Sequence, residues 1–444
     1  MKINAHLDLD LVALETQDRI TLMLDLTAPI SDASSTRPGQ AVQVVLDRSG
    51  SMEGAPLTSA LESIQKLVDR LAPQDSFGLV TFDDTSLIVA PHRKMSDHHI
   101  PSLKHAIKEI RSGGSTDISS GYLLGLRELT QSKNIAGSTL ILISDGHANA
   151  GEQDPKKLEK IASTSAANAI TTSTIGLGNN YDEMILAALA IGGGGQHRFA
   201  ATIDEAIGAI ASEVADLLEK SAINAILKVT PVPGLTSAPV IELLQDLPYW
   251  KDGDTYVVQL GDFYAGENRR FMIDLEVPGM AALGLATIAT VEFQYLNLSD
   301  MTDYSVEIPI QVNVVPDDIA QGRTVNPIVR AERMVLLAQS EKARATDELQ
   351  SGRTKEAAKR LKNAASNLRS EAANIPEGDE QSSESLRIIR LEADEMERLA
   401  TFAEEEDAQF AIKRNVESFS QNIRSRKVRI NPQSMEENEG NDLQ

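Results

Sequence analysis

The sequence predicts a multidomain protein in which a doubly wound, Rossmann-like α/β unit is inserted in a β-sandwich and followed by an antiparallel helical region. Three observations support this fold class. A chain of 444 residues is too long for one ordinary hydrophobic core. Apolar strands alternate with amphipathic helices over residues 38–220, and the stretches on both sides of this range alternate in the period of β-strands.

The first unit, residues 1–35, is predicted to form two antiparallel strands joined by a turn. Leu7, Leu9 and Leu11 lie on one face of the first strand, and the alternating apolar residues of 20–26 lie on one face of the second. Each strand is polar on its other face, which is typical of an antiparallel sheet with one side toward water. We expect both strands to pair with strands that come later in the chain.

The second unit, residues 38–220, has the α/β pattern. The apolar strand AVQVVLD at 41–47 is followed by a helix at 54–71, whose apolar side chains share one face. A second fully apolar strand, STLILISDG, occupies residues 138–146. Strands that alternate with helices and lack a polar face indicate a mostly parallel sheet that is covered by helices on both sides.

The β pattern returns over residues 221–316, and helical sequences rich in Ala, Leu, Glu, Lys and Arg occupy residues 325–430. Because the two ends of a compact domain often lie close together, the strands of 1–35 should join those of 221–316 in one sandwich. The alanine and leucine seam of the helical region fits a bundle or a coiled coil, which packs internally or joins chains into an oligomer. Residues 431–444 are predicted to be a disordered acidic tail.

The composition excludes several classes of function. The formal net charge of −23, from 65 Asp and Glu against 42 Lys and Arg, repels nucleic acid and anionic lipid. The chain has no cysteine, so disulfides and thiolate metal sites are excluded. No apolar run approaches the roughly 18 residues of a membrane span, and Asp8 and Asp10 interrupt the apolar stretch that a secretory signal needs. We expect a cytoplasmic protein whose partner is another protein or a cation.

Polar side chains follow the first predicted strand of the α/β unit. Asp47 ends this strand, and Ser49 and Ser51 follow at two-residue steps, so in an extended turn all three point toward a common centre. Ligands of open α/β sheets bind beyond the carboxyl ends of the strands, where the loops converge. The sequence therefore predicts a binding site at this edge.

Two further loops add oxygen atoms to the same edge. STLILISDG ends in Asp145, and RSGGSTDI places Thr116 and Asp117 at the start of a helix. Hydroxyl and carboxylate oxygens, with no His or Cys among them, suit a hard cation such as Mg²⁺ at about 2.0–2.1 Å, with waters completing an octahedron. Mn²⁺ and Ca²⁺ are the alternatives. For Asp117 the favoured role is capping of the helix that follows.

The combination resembles the metal-ion-dependent adhesion site of von Willebrand factor type A domains in bacterial multidomain proteins. The likeness rests on D-x-S-x-S after the first strand, a threonine after a Gly-Gly pair, and S-D-G after a later strand, in the family's order. It implies that the hydroxyls of Ser49, Ser51 and Thr116 bind the metal. Asp47 and Asp145 would hold metal-bound waters or bind the metal directly in an alternate state. A carboxylate of a partner protein would then fill the vacant position of the ion.

Other interpretations stay open. Ser49 or Ser51 can cap the helix that begins near Gly54. An accessory subunit of an ATP-driven chaperone or chelatase-like machine is a second function, by family analogy, although the chain has no G-x-x-x-x-G-K-[ST] motif of its own. A Mg²⁺-dependent hydrolase with Asp47 as nucleophile would need a second aspartate where this chain has Ser49. We expect a non-enzymatic, metal-dependent interaction module that acts as a scaffold or assembly factor.

Overall fold

The computed structural model contains three sheets and a set of helices. It describes residues 1–29, 39–131, 138–178, 181–202, 220–232, 241–243, 249–373, 380–404 and 408–424, and single positions at 205, 208, 209, 247 and 375. The predicted acidic tail at 431–444 lies outside the described residues.

A six-stranded sheet forms the centre of the α/β unit. Its strands are β4 (Ala41–Asp47), β5 (Ser76–Phe82), β6 (Ser86–Lys94), β7 (Ser138–Ser144), β8 (Ile170–Leu177) and β9 (Gly194–Ala200). Their order is β6-β5-β4-β7-β8-β9, and every pair is parallel except β5 with β6. All residues of β4, β5 and β8 are buried, as expected for strands with helices on both sides.

Helices cover the two faces of this sheet. They are α1 (Ala55–Arg70), α2 (Ile100–Lys108), α3 (Ile118–Thr130), α4 (Pro155–Ala166) and α5 (Glu183–Gly193). Side chains of α1 and α2 share a core with Val44 of β4, whereas those of α3, α4 and α5 share a core with Val45. Adjacent residues of one strand thus face opposite layers. The predicted doubly wound, Rossmann-like α/β fold is confirmed.

Two further sheets, antiparallel except for one pair of strands, combine strands from the start of the chain with strands that follow the α/β unit. They contain β1 (Lys2–Leu7), β2 (Leu11–Ala13), β3 (Asp18–Thr27), β10 (Lys220–Pro231), β11 (Ile241–Leu243), β12 (Tyr249–Asp252), β13 (Thr255–Tyr264), β14 (Asn268–Val277), β15 (Gly284–Asn297) and β16 (Thr302–Val315). The orders are β1-β3-β14-β11 and β12-β13-β10-β15-β16-β2. Buried residues of both sheets, among them Leu24, Phe271 and Val291, belong to one hydrophobic core.

The first predicted strand is divided between these two sheets. β1 pairs antiparallel with β3, whereas β2 pairs parallel with β16. The break lies at Asp8, whose carboxylate accepts a hydrogen bond from the Thr21 N–H at 2.7 Å while its own N–H donates to the Thr21 carbonyl at 2.9 Å. The expectation of one strand through Leu7, Leu9 and Leu11 is therefore wrong. Apolar alternation continues across the corner, so the pattern does not reveal it.

The helical region follows the sheets. It contains α6 (Asp317–Ala320), α7 (Pro327–Gln350), α8 (Thr354–Ala372), α9 (Glu380–Glu404) and α10 (Ala408–Arg424). Its alanine and leucine side chains pack internally, in a core that also includes Ala187 of α5. Ion pairs attach α7 to β14, between Arg270 and Glu332 at 3.2 Å and between Arg333 and Asp274 at 3.0 Å. Among the helices that the structure describes, none has the length and apolarity needed to cross a membrane.

A buried ion pair joins the α/β unit to the antiparallel sheets. Lys220 Nζ donates to Asp262 Oδ2 at 2.6 Å and to Thr139 Oγ1 at 2.7 Å, and the Thr171 hydroxyl donates to Asp262 Oδ2 at 2.7 Å. Burial by itself acts to raise the pKa of Asp262, but the neighbouring Lys220 ammonium and three hydrogen bonds bring it below its usual value. Removal of either charged partner therefore leaves a buried charge uncompensated.

Candidate metal centre

Asp47 is the last residue of β4 and has no exposed surface. Its Oδ1 accepts a hydrogen bond from the Ser49 N–H at 2.7 Å, and its Oδ2 accepts one from the Ser144 hydroxyl at 2.5 Å. Burial raises the pKa of Asp47, although the hydrogen bonds from both serines oppose the increase. Asp47 thus anchors the turn after β4 to the end of β7.

The side chains of Ser49, Ser51 and Asp145 form a continuous series of oxygen atoms. The two serine hydroxyls are 3.1 Å apart, and the Ser51 hydroxyl donates to Asp145 Oδ1 at 2.7 Å. The capping interpretation of the serines is wrong. Gly54 is the N-cap residue of α1, and no side chain donates or accepts a capping hydrogen bond there or at the short 3₁₀ turn after Ser49.

Thr116 is held at the same place through the backbone of its loop. Its N–H donates to Asn149 Oδ1 at 2.8 Å, and its carbonyl accepts from the Asn149 N–H at 3.0 Å. A methyl group placed on Gly146 would lie 3.0 Å from Thr116 Oγ1 and 3.3 Å from Ser51 Oγ. Two hydroxyls from different loops therefore approach the residue that directly follows Asp145.

Asp117, next to Thr116, has a different role. It is the N-cap residue of α3, and its Oδ1 accepts from the Ser120 N–H at 2.9 Å and from the Ser119 hydroxyl at 2.6 Å. These bonds satisfy donors at the start of the helix. The prediction that Asp117 is a helix cap is confirmed.

A salt bridge closes the site on the side of β5. The Arg48 guanidinium lies 2.7 Å from Asp83 Oδ2, and Asp83 Oδ1 accepts from the Thr85 N–H at 2.8 Å and from the Thr85 hydroxyl at 2.9 Å. The Asp83 carbonyl accepts from the Asp117 N–H at 2.9 Å, which ties this corner to the Thr116 loop. Arg48 thus balances the charge of Asp83, whereas the carboxylates of Asp47 and Asp145 have no ion-pair partner among the described residues.

Asp145 is the carboxylate nearest to solvent in this cluster, with 7% of its surface exposed. Burial raises its pKa to about 6, and the Asp47 carboxylate adds to the increase while the Ser51 hydrogen bond opposes it. Two carboxylates in one small space repel each other unless a cation lies between or beside them. The electrostatics of the cluster therefore favour binding of a cation.

The two serine hydroxyls lie close enough together to contact one cation. Neighbouring ligands of an octahedral ion at about 2.1 Å are about 3.0 Å apart. The hydroxyls of Ser49 and Ser51 are separated by 3.1 Å. No group of three or more His, Asp or Glu side chains suited to a metal occurs among the described residues, so an ion at this place would take most of its protein ligands from hydroxyl groups.

Two residues that support the site are not identified from the sequence. The Ser144 hydroxyl donates a hydrogen bond to Asp47. The parallel register of β4 and β7 pairs Leu46 with Ile143, so Asp47 and Ser144, which follow them, are neighbours at the carboxyl ends of the two strands. Asn149 holds the Thr116 loop, and no local pattern marks it because it lies in an irregular segment. The structure brings all five predicted site residues together, and metal binding there stays a prediction.

Comparisons with known proteins agree with the α/β fold of this region. Residues 42–213 match the family model of the von Willebrand factor type A domain. An uncharacterized protein of Synechocystis is 26% identical over 255 residues, which are 55% of this chain and 60% of that protein. An uncharacterized protein of Escherichia coli strain K12 is 30% identical over 207 residues, which are 46% of this chain and 35% of that protein. The chain thus matches less than two thirds of the length of either relative.

A solved structure extends the likeness in fold beyond the α/β unit. A von Willebrand factor type A protein from Catenulispora acidiphila superposes with a TM-score of 0.71 at 14% identity, and the alignment covers 95% of this chain and 96% of that one. The strand order, the helices on both faces and the match to the family model agree over the same residues. The chain therefore contains a von Willebrand factor type A domain at residues 42–213.

Proposed function

We propose that this protein is a divalent-metal-dependent interaction module, which binds an acidic residue of a partner protein and acts as a scaffold or assembly factor. The observation that carries the proposal is the convergence of Ser49, Ser51, Thr116 and Asp145 from three loops onto one point. Domains of this family often mediate interactions between proteins. The hydroxyl and carboxylate oxygens at this point are ligands of the kind that Mg²⁺ takes in proteins.

The side chains divide the work of such a site. Ser49, Ser51 and Thr116 would hold the ion through neutral hydroxyls, and Asp145 would supply the nearest negative charge. Asp47 keeps the serine turn in place from a fully buried position. The bound ion would supply a Lewis-acidic position for an incoming carboxylate, and its charge stays largely uncompensated because few carboxylates touch it. Ser51 is exposed, so the site opens to solvent on that side.

The burial of Asp47 argues against the hydrolase alternative. A nucleophilic carboxylate has to reach the reacting atom, yet Asp47 has no exposed surface and both of its oxygens accept hydrogen bonds. The position two residues later holds Ser49, which offers no carboxyl group for general acid or base catalysis. Recognition without chemical change to the bound acid fits the arrangement better.

The first test measures metal binding directly. We expect Mg²⁺ titrated into the metal-free protein to give a binding isotherm with one site in calorimetry. T116A should weaken the affinity at least about tenfold, because it removes one of three hydroxyl ligands while Asn149 still holds the backbone of the loop. S115A changes the adjacent, exposed residue and is the matched control. Equal affinities of T116A and S115A would contradict the assignment.

The second test concerns the partner. Proteins retained by the immobilised chain should be released by a chelator and rebound when Mg²⁺ is restored, and T116A should retain none of them. If the partner stays bound in the presence of the chelator, its recognition does not depend on a metal ion. Mass spectrometry of the released fraction then identifies the partner.

We also infer that the two antiparallel sheets form one β-sandwich that carries the α/β unit as an insertion. Both sheets share one buried core. In addition, β3, which precedes the α/β unit in the chain, pairs with β14, which follows it. The Lys220–Asp262 pair connects this sandwich to the α/β unit. The Arg270–Glu332 pair connects it to the helical region. Such connections suit a scaffold that presents the metal edge in a constant orientation.

A further inference from the structure

The helix α10 contacts a segment beside the metal centre through a buried lysine. The Lys413 side chain has no exposed surface, and its Nζ donates to the Tyr181 carbonyl at 2.9 Å and to Glu183 Oε2 at 2.8 Å. The same ammonium lies 4.0 Å from the centre of the Tyr181 ring. A buried ammonium is costly unless it is fully paired, so docking of α10 and the position of residues 181–183 depend on each other.

Asp182 lies between Tyr181 and Glu183 and is connected to the metal centre by a series of hydrogen bonds. The Asp182 N–H donates to the Gly146 carbonyl at 3.3 Å. The Gly146 N–H donates to Ser144 Oγ at 3.3 Å, and the Ser144 hydroxyl donates to Asp47 at 2.5 Å. Asp145, whose carboxylate accepts from Ser51, lies between two members of this series. The segment that Lys413 holds is therefore hydrogen-bonded to the loop that carries a predicted site residue.

Further contacts hold α10 against β9. Glu417 Oε1 accepts from the Phe199 N–H at 3.1 Å, and the Phe410 ring lies 5.6 Å from the Phe199 ring. Arg414 pairs with Glu205 at 3.0 Å and lies 4.8 Å from the centre of the Phe199 ring. Phe199 is next to the last residue of β9, which runs parallel to β8. These contacts of α10 therefore lie at the carboxyl ends of the parallel strands, on the side of the sheet that carries the metal centre.

We propose that Lys413 is a positioning residue for the metal centre, so that docking of α10 and occupation of the centre strengthen each other. The part that involves metal rests on the proposed function. Without the lysine, residues 181–183 lose their anchor, the Gly146 carbonyl loses an ordered donor, and the loop with Asp145 becomes more mobile. By linkage, metal has to stabilise the docked α10 by the same factor by which docking raises metal affinity.

The test combines amide hydrogen exchange with calorimetry on the full chain. K413M/E183Q removes both charges of the pair, so that no buried charge is left without its partner. In the absence of metal, we expect amides of residues 144–147 and 181–183 to exchange at least about tenfold faster than in the wild type. The Mg²⁺ affinity of this variant should fall about fivefold or more, within the range of typical coupling factors.

The matched control is K220M/D262N, which removes a buried ion pair of the same kind. This pair also joins the α/β unit to another unit, but it contacts Thr139 and Thr171, near the amino ends of β7 and β8. The control variant should leave amide exchange at residues 144–147 and the Mg²⁺ affinity as they are in the wild type.

A measurement on the wild type needs no variant: saturating Mg²⁺ should slow amide exchange in α10. Unchanged exchange at 144–147 in K413M/E183Q, or unchanged exchange of α10 on addition of Mg²⁺ that binds, would overturn the inference. If the wild type binds no Mg²⁺, the proposed function is wrong, and the metal-free exchange of 144–147 still decides whether Lys413 positions the loop.

Discussion

Protonation of Asp145 should control the affinity of the centre for metal. Burial and the Asp47 carboxylate raise the pKa of Asp145 to about 6 in the folded, metal-free protein. A protonated carboxyl group does not attract a cation, so affinity is retained above this pH and lost below it. The apparent dissociation constant increases by a factor of about 1.1 at pH 7 and about 11 at pH 5, which corresponds to about 1.4 kcal/mol of binding free energy.

The assay is calorimetric titration of Mg²⁺ at pH 7, 6 and 5, in two buffers that differ in ionisation enthalpy. Near pH 6 about half of the molecules carry the proton, so binding should release about 0.5 proton per ion. D145N should bind more weakly at pH 7 and should lose the midpoint near pH 6. Equal wild-type affinities at pH 7 and pH 5, or binding at pH 6 without proton release, would refute the reasoning.

Three further predictions concern stability. S144A leaves a buried Asp47 oxygen without its donor, so the free energy of unfolding in urea should fall by about 1–3 kcal/mol; an unchanged value contradicts the anchoring role. Burial lowers the pKa of His197 to about 3, so the unfolded chain, with a value near 6.5, binds the proton first. His197 should therefore contribute a loss of about 1.4 kcal/mol of stability per pH unit below 6.5, and H197Q should remove this contribution to the slope in thermal unfolding. K220M leaves the buried Asp262 carboxylate without its ion-pair partner, so the free energy of unfolding should fall by about 3–5 kcal/mol. K220M/D262N should recover part of this loss in the same urea assay.

The sequence by itself determined the α/β unit and the members of the candidate site. The predicted strand at 41–47 coincides with β4, and the helix predicted at 54–71 differs from α1 by one residue at each end. Such elements are readable because apolar period and strand length are local properties of the chain. Asp47, Ser49, Ser51 and Asp145 are readable for a related reason: parallel strands end on one side of the sheet, so polar residues at or just after their ends meet there. Thr116 is readable because its loop leads into the start of a helix on the same side.

Only the tertiary structure decided which polar groups face one another. Asp47 and Ser144 are 97 residues apart, and Lys413 and Glu183 are 230 apart, yet each pair is buried and hydrogen-bonded. A periodic pattern tells which face of an element is apolar, but the energy of a buried polar group depends on the atom opposite to it. The corner at Asp8, the anchor of the serine turn and the docking of α10 therefore became visible only once the units were packed together.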